Sequence, residues 1–192
     1  MEKNDERGKS FGDLMMSIFY IVLLCTISYG VYFIANEKYS MQKTVKALNL
    51  ITKNMQATFD SEGTYPSAGV IRTYPITPSN MEVKDAQEYY WRHYFGGSML
   101  ISGVVGGDRN TGKAEYNIIF NTISKRDCKI MTTYDWRSFP SFLGLTSQGY
   151  SILAKSASRQ VPNIGRLFTA AEAEKMCSCE NGKYCSVILV FK

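Results

Sequence analysis

Leu14–Ala35, LMMSIFYIVLLCTISYGVYFIA, decides how the rest of this chain is read. The 22 residues contain no Asp, Glu, Lys, Arg, His or Pro. As a helix rising ~1.5 Å per residue, they cover the ~30 Å hydrocarbon core of a bilayer. Thirteen residues precede the stretch and more than 150 follow it, which predicts an N-terminal membrane anchor carrying a C-terminal globular part. A cleaved secretory signal is the competing reading. Against it, the apolar core is longer than the usual length of about 7–15 residues, and no Ala-x-Ala site follows.

The polar segment MEKNDERGKSFGD ahead of it ends in a glycine and a lone acid, Gly12 and Asp13. Lys3, Arg7 and Lys9 precede the anchor while Lys38, Lys43, Lys46 and Lys53 follow it, so flanking charge decides little about orientation. The cysteines decide more. Cys25 lies within the anchor, where a lone thiol packs as a small hydrophobe. Cys128, Cys177, Cys179 and Cys185 form an even set beyond it, which predicts an oxidising, non-cytoplasmic compartment and two disulfides. The alternative is a metal site built on Cys177, Cys179 and Cys185. Their spacing matches no zinc signature and the single histidine is His93, so no metal or other cofactor is expected.

The 192-residue chain has a net charge of +5 with no polybasic cluster, which argues against direct nucleic-acid binding. The roughly 155 residues beyond the anchor suffice for one domain with a core. From Asn36 to Asp60 there is no proline or glycine. Met41, Val45, Leu48, Met55 and Phe59 keep helical spacing, Thr52 fills the gap, and Ala47 and Ile51 widen the stripe. This predicts one helix from about 13 to 60, ~70 Å long. Its stripe should lie on the globular part, with Lys43, Lys46, Lys53 and Gln56 facing solvent. Gly63, Pro66 and Gly69 end it.

Residues 61–97 hold Pro66, Pro75 and Pro78, three of the five prolines, and read as connecting structure with a short helix over Ser79–Tyr94. Ser98–Val105 and Ala114–Ile123 read as strands joined by a hairpin turn in GGDRNTGK. Ser124 is placed to cap a short helix with Asp127 in its first turn. Thr169 caps another, with Glu172 at capping-box spacing. SVILVFK at the C-terminus is strand-like. The fold class is α+β, a long N-terminal helix packed on an antiparallel sheet.

This layout resembles type IV pilins, most closely the type IVb pilins of toxin-coregulated, bundle-forming and conjugative thin pili. The resemblance runs from about Gly8 to the C-terminus. It rests on the order of QATFDSEGTYPS, FGGSMLISG, SKRDCKIMTTYDW, FTAAEAEKMC and SVILVFK. It implies a leader over residues 1–8, cut by prepilin peptidase between Gly8 and Lys9. It also implies a transmembrane and assembly half of the helix over 9–35, and a head over 36–192 that includes the amphipathic half. Asp13, fifth in the mature chain, would then serve assembly: a carboxylate in an apolar helix is costly in lipid unless paired, and a neighbouring subunit's N-terminal ammonium supplies the partner. Cleavage after Gly12 is the alternative. The family usually starts with a hydrophobic residue and carries glutamate fifth, where this chain has Lys9 and Asp13. The resemblance pairs Cys128 with Cys177; Cys179 with Cys185 rests on proximity, and a swapped pairing through Cys179 stays open.

The implied product is a homo-oligomeric helical filament, handled by prepilin peptidase and the inner-membrane assembly machinery, in the inner membrane first and extracellular later. A single-pass anchored periplasmic binding domain is the alternative. No enzyme is expected. His93 lies among Tyr89, Tyr90, Trp91, Tyr94 and Phe95 and reads as a packed histidine; Gly-x-Ser-x-Gly is absent, and GVVGGDRNTGK lacks Walker spacing.

Overall fold

The computed structural model describes residues 6–81, 91–104, 115–139, 141–149, 168–179 and 184–192. The expected α+β architecture is present. A 54-residue helix, α1 (Glu6–Phe59), is followed by a five-stranded antiparallel sheet and three shorter α-helices. The chain divides into two compact units at Tyr39/Ser40, so α1 contributes to both.

In the first unit α1 is exposed on every side from Phe11 to Asn36. In the second it has one buried face. Met41, Thr44, Ala47, Leu48, Ile51, Thr52, Met55 and Phe59 are buried, while Lys46, Lys53 and Gln56 are exposed. Burying a side chain such as Leu48 or Ile51 stabilises by about 1.5–3 kcal/mol each. Lys43 departs from the expected solvent face: it is half-buried, with its ammonium 5.6 Å from the centre of the Tyr94 ring. The apolar stem and the ring's negative face explain the placement.

The helix ends through a 3-10 turn, Asp60–Glu62, with Gly63 left-handed at φ 66°. Gly69 lies not in a terminating loop but inside α2 (Ala68–Ile71). The expected helix over Ser79–Tyr94 is corrected at both described ends. Ser79–Met81 is one 3-10 turn and Trp91–Arg92 is strand β1; 82–90 lie outside the described residues. The reason is local. Gly96 takes φ 89°, and the pairs His93 N–H to Gly97 C=O (3.0 Å) and Gly96 N–H to His93 C=O (3.0 Å) reverse the chain, which sets β1 against β2 (Ser98–Gly103).

β3 (Tyr116–Ile123) pairs with β2, β5 (Cys185–Phe191) with β3, and β4 (Phe142–Gly149) with β5, giving the order β1-β2-β3-β5-β4. The expected ends at Val105 and Ala114, and the GGDRNTGK turn, lie outside the described residues. The alternating positions Met99, Ile101, Tyr116, Ile118, Phe120, Val187, Leu189 and Phe191 are buried in one core with the α1 stripe. Gly103 closes β2 against the loop after α1. Its N–H donates to the Pro66 carbonyl at 2.8 Å, and a Cβ there would run into the Tyr65 carbonyl.

α3 (Lys125–Thr133) and α4 (Ala170–Met176) pack together beside β4 and start where the sequence places their caps. The Ser124 hydroxyl accepts from the Asp127 N–H at 3.1 Å. Thr169 and Glu172 form the reciprocal capping box, with distances of 3.3 and 2.9 Å.

Candidate functional site

Three features carry the chemistry. The first is the exposed half of α1. Gly8 and Lys9 lie in helical backbone near its start, and Asp13 is exposed among Phe11, Leu14, Met15 and Met16. The next charged residue along the helix is Glu37. Two hydroxyls between them turn inward on the helix itself. The Ser17 hydroxyl donates to the Asp13 carbonyl at 2.8 Å and Thr26 to the Leu23 carbonyl at 2.8 Å, so neither asks anything of an apolar surrounding. Phe11, Phe19, Leu24, Tyr29 and Tyr32 are all more than half exposed, an apolar surface that water would not tolerate unpartnered.

The second is a double disulfide. Cys128 of α3 is bonded to Cys177 at the C-terminus of α4, Cα atoms 5.9 Å apart, and Cys179 to Cys185 at the start of β5, Cα atoms 5.2 Å apart. All four are buried. The Cys177 carbonyl lies 3.2 Å from the Cys179 sulfur, and the Thr132 hydroxyl 3.8 Å from the Cys177 sulfur, so the two bonds form one block. On the chain-entropy model the 49-residue separation of the first is worth ~4 kcal/mol. The six-residue separation of the second is worth roughly 2 kcal/mol. Outside this block, Lys125 (2.7 Å) and Lys129 both pair with Glu174, whose carboxyl their hydrogen bonds hold down at about 2. Sequence reading missed this three-ion cluster; Lys125 and Lys129 lie on one helix and Glu174 on another, 49 and 45 positions further along (174 − 125 and 174 − 129), and only packing aligns them.

The third was not legible as a site: a bulge in β3. Pairing with β5 shifts between Phe120 and Ile123, and Thr122 sits at φ 60°, a costly angle for a β-branched residue. Asn121 anchors it twice. Its carbonyl accepts from His93 Nε2 at 2.8 Å and its side-chain oxygen from the Ser186 hydroxyl at 2.8 Å. His93 is 2% exposed, and its Nδ1 accepts from the Phe95 N–H at 3.2 Å. Burial pushes its basicity below the ordinary imidazole value, against the smaller opposing pull of the Asn121 carbonyl and the Asp127 carboxylate. Among the described residues no cluster of His, Cys, Asp or Glu is arranged to hold a metal ion.

No family model matches the chain, and no curated protein matches it. Its structure is similar to the crystal structure of TcpA, a type IV pilin from Vibrio cholerae El Tor biotype, with a TM-score of 0.49 and 16% sequence identity, the match covering 80% of this chain and 99% of that one.

Proposed function

We propose that this chain is a structural subunit, major or minor, of a type IVb pilus, polymerising through the apolar half of α1. The observation that carries the reading is that half itself. It is a continuous helix, exposed on every side from Phe11 to Asn36, with one acid at its start. A bilayer satisfies such a surface before assembly, and a bundle of like helices satisfies it afterwards. Asp13 sets the axial stagger by pairing with a neighbour's N-terminal ammonium, released when prepilin peptidase cuts between Gly8 and Lys9. The disulfide-clamped head, periplasmic and then extracellular, forms the filament's outer surface.

Intact, non-reduced mass of the protein from membranes and from sheared surface material tests this. Loss of residues 1–8 and recovery in the sheared fraction are expected. Asp13→Ala should insert in the membrane normally and lose most of the sheared filament. A full-length mass confined to membranes, or a normal filament yield from Asp13→Ala, would replace the reading by a single-pass anchored domain that never polymerises.

A further inference from the structure

His93 joins three parts of the head. It follows the two-residue strand β1, its Nε2 donates to the Asn121 carbonyl in the β3 bulge, and its Nδ1 accepts from Phe95 inside its own turn. Its ring lies 5.4 Å from that of Phe120 and 6.0 Å from that of Phe95, with no water-facing edge at 2% exposure. The turn it closes is tight: a Cβ on Gly97 would overlap the Asn121 carbonyl and come within 2.6 Å of the His93 ring. The adjacent Tyr94 ties the same turn to Asn80 through hydrogen bonds of 3.0 and 3.3 Å and stacks under Lys43 of α1.

We propose that His93 is an acid-released latch holding the 91–97 hairpin on the edge of the sheet. Only the neutral imidazole with its hydrogen on Nε2 serves both partners. A proton arriving at Nδ1 turns an acceptor into a donor facing the Phe95 N–H, and puts a charge where water does not reach it. The charged groups nearby do not remove that conflict. Asp127 of α3 favours the cation, but its carboxylate is engaged by the Ser124 hydroxyl at 2.5 Å. Arg92 on β1 is exposed, and Lys43 on α1 is of the same sign as the new charge. β1 has two residues to resist with, so it is the element that yields. Release uncovers the edge of β2, lets the strained Thr122 bulge relax, and frees the Lys43–Tyr94 contact. The device is independent of whether the chain polymerises.

The test is hydrogen exchange on the full chain in detergent between pH 7.5 and 4.5, corrected for intrinsic exchange. Protection at Phe95 and in β2 should fall at least tenfold relative to the β3–β5 ladder as pH drops below about 6.5. In His93→Gln, which keeps a donor for Asn121 and cannot take the proton, the differential fall should vanish. An equal fall in that variant, or none in the natural chain, overturns the latch. Because His93 is the single histidine, its ring resonances need no assignment. A ring titration midpoint at or above the ordinary imidazole value of about 6.5 overturns it as well, even if the variant does not fold.

Discussion

The two halves of α1 share one uninterrupted hydrogen-bond ladder and face opposite problems. Before Tyr39 the helix shows apolar side chains on every side; after Ser40 it confines them to a stripe and sets lysines and glutamine around it. Helical propensity does not distinguish the halves. What differs is the angular spread of apolar residues: full for a helix whose surrounding is itself apolar, one face for a helix with a private core. A chain that carries both has one end that folds by its own packing and another that needs an external solvent or copies of itself.

The largest effect that sharpens this contrast is covalent. Replacing Cys128 and Cys177 together by alanine should lower head stability by ~4 kcal/mol, read from urea unfolding in detergent. The helical signal of the first half should persist after the head has unfolded. If both melt in one transition with the same denaturant slope, α1 is a single cooperative unit and the contrast fails. Next come matched truncations along the helix. Met55→Ala empties a fully buried site and should cost about 2–5 kcal/mol. Leu24→Ala, on an exposed position, should leave head stability within about 0.5 kcal/mol.

The halves also show what the sequence could and could not disclose. The first was legible as an unbroken uncharged run and the second because helix burial is periodic: Leu48, Ile51, Met55 and Phe59 stand at the spacing that the structure buries. The caps at Ser124 and Thr169 were legible for the same reason, being local chemistry within four residues. β4 was missed. FLGLTSQG has no clean alternation and owes its place to pairing with β5, some forty residues on. The Ser79–Tyr94 helix was misread because aromatic residues at Trp91 and Tyr94 fit either period, and only Gly96 at φ 89° settles the turn. At the candidate site Asp13 was found as an isolated charge. Lys43 was misassigned to solvent because a cation over Tyr94 is a tertiary contact.

The bulge tests the same idea at smaller scale, inside the head. Thr122 holds a left-handed angle with its side chain exposed, so its backbone cost is offset by neighbours, His93 and Ser186 on Asn121, rather than by its own packing. Thr122→Gly removes the steric penalty and should raise stability by about 1 kcal/mol, less the extra freedom that glycine gives the unfolded chain. A destabilisation above that size, measured by the same urea titration, would mean that the Thr122 side chain makes a contact that its exposure conceals.

The smallest expected effect concerns charge on the head's exterior. Lys125 and Lys129 hold the Glu174 carboxyl at about 2, below its ordinary value of 4.5. A carboxyl depressed in the folded state contributes stability above its unfolded pKa and loses it as pH falls toward the folded one. That contribution should therefore be full at pH 6 and fade between about 4.5 and 2. The group is fully exposed, so salt and water screen it heavily. Glu174→Gln should accordingly narrow the difference between unfolding midpoints at pH 6 and pH 2 while barely moving the pH 2 value, and 0.5 M salt should erase the distinction. A pH 6 loss as large as that of the Cys128–Cys177 deletion would show that α3 and α4 are held by charge more than by the sulfur block, the reverse of what their burial implies.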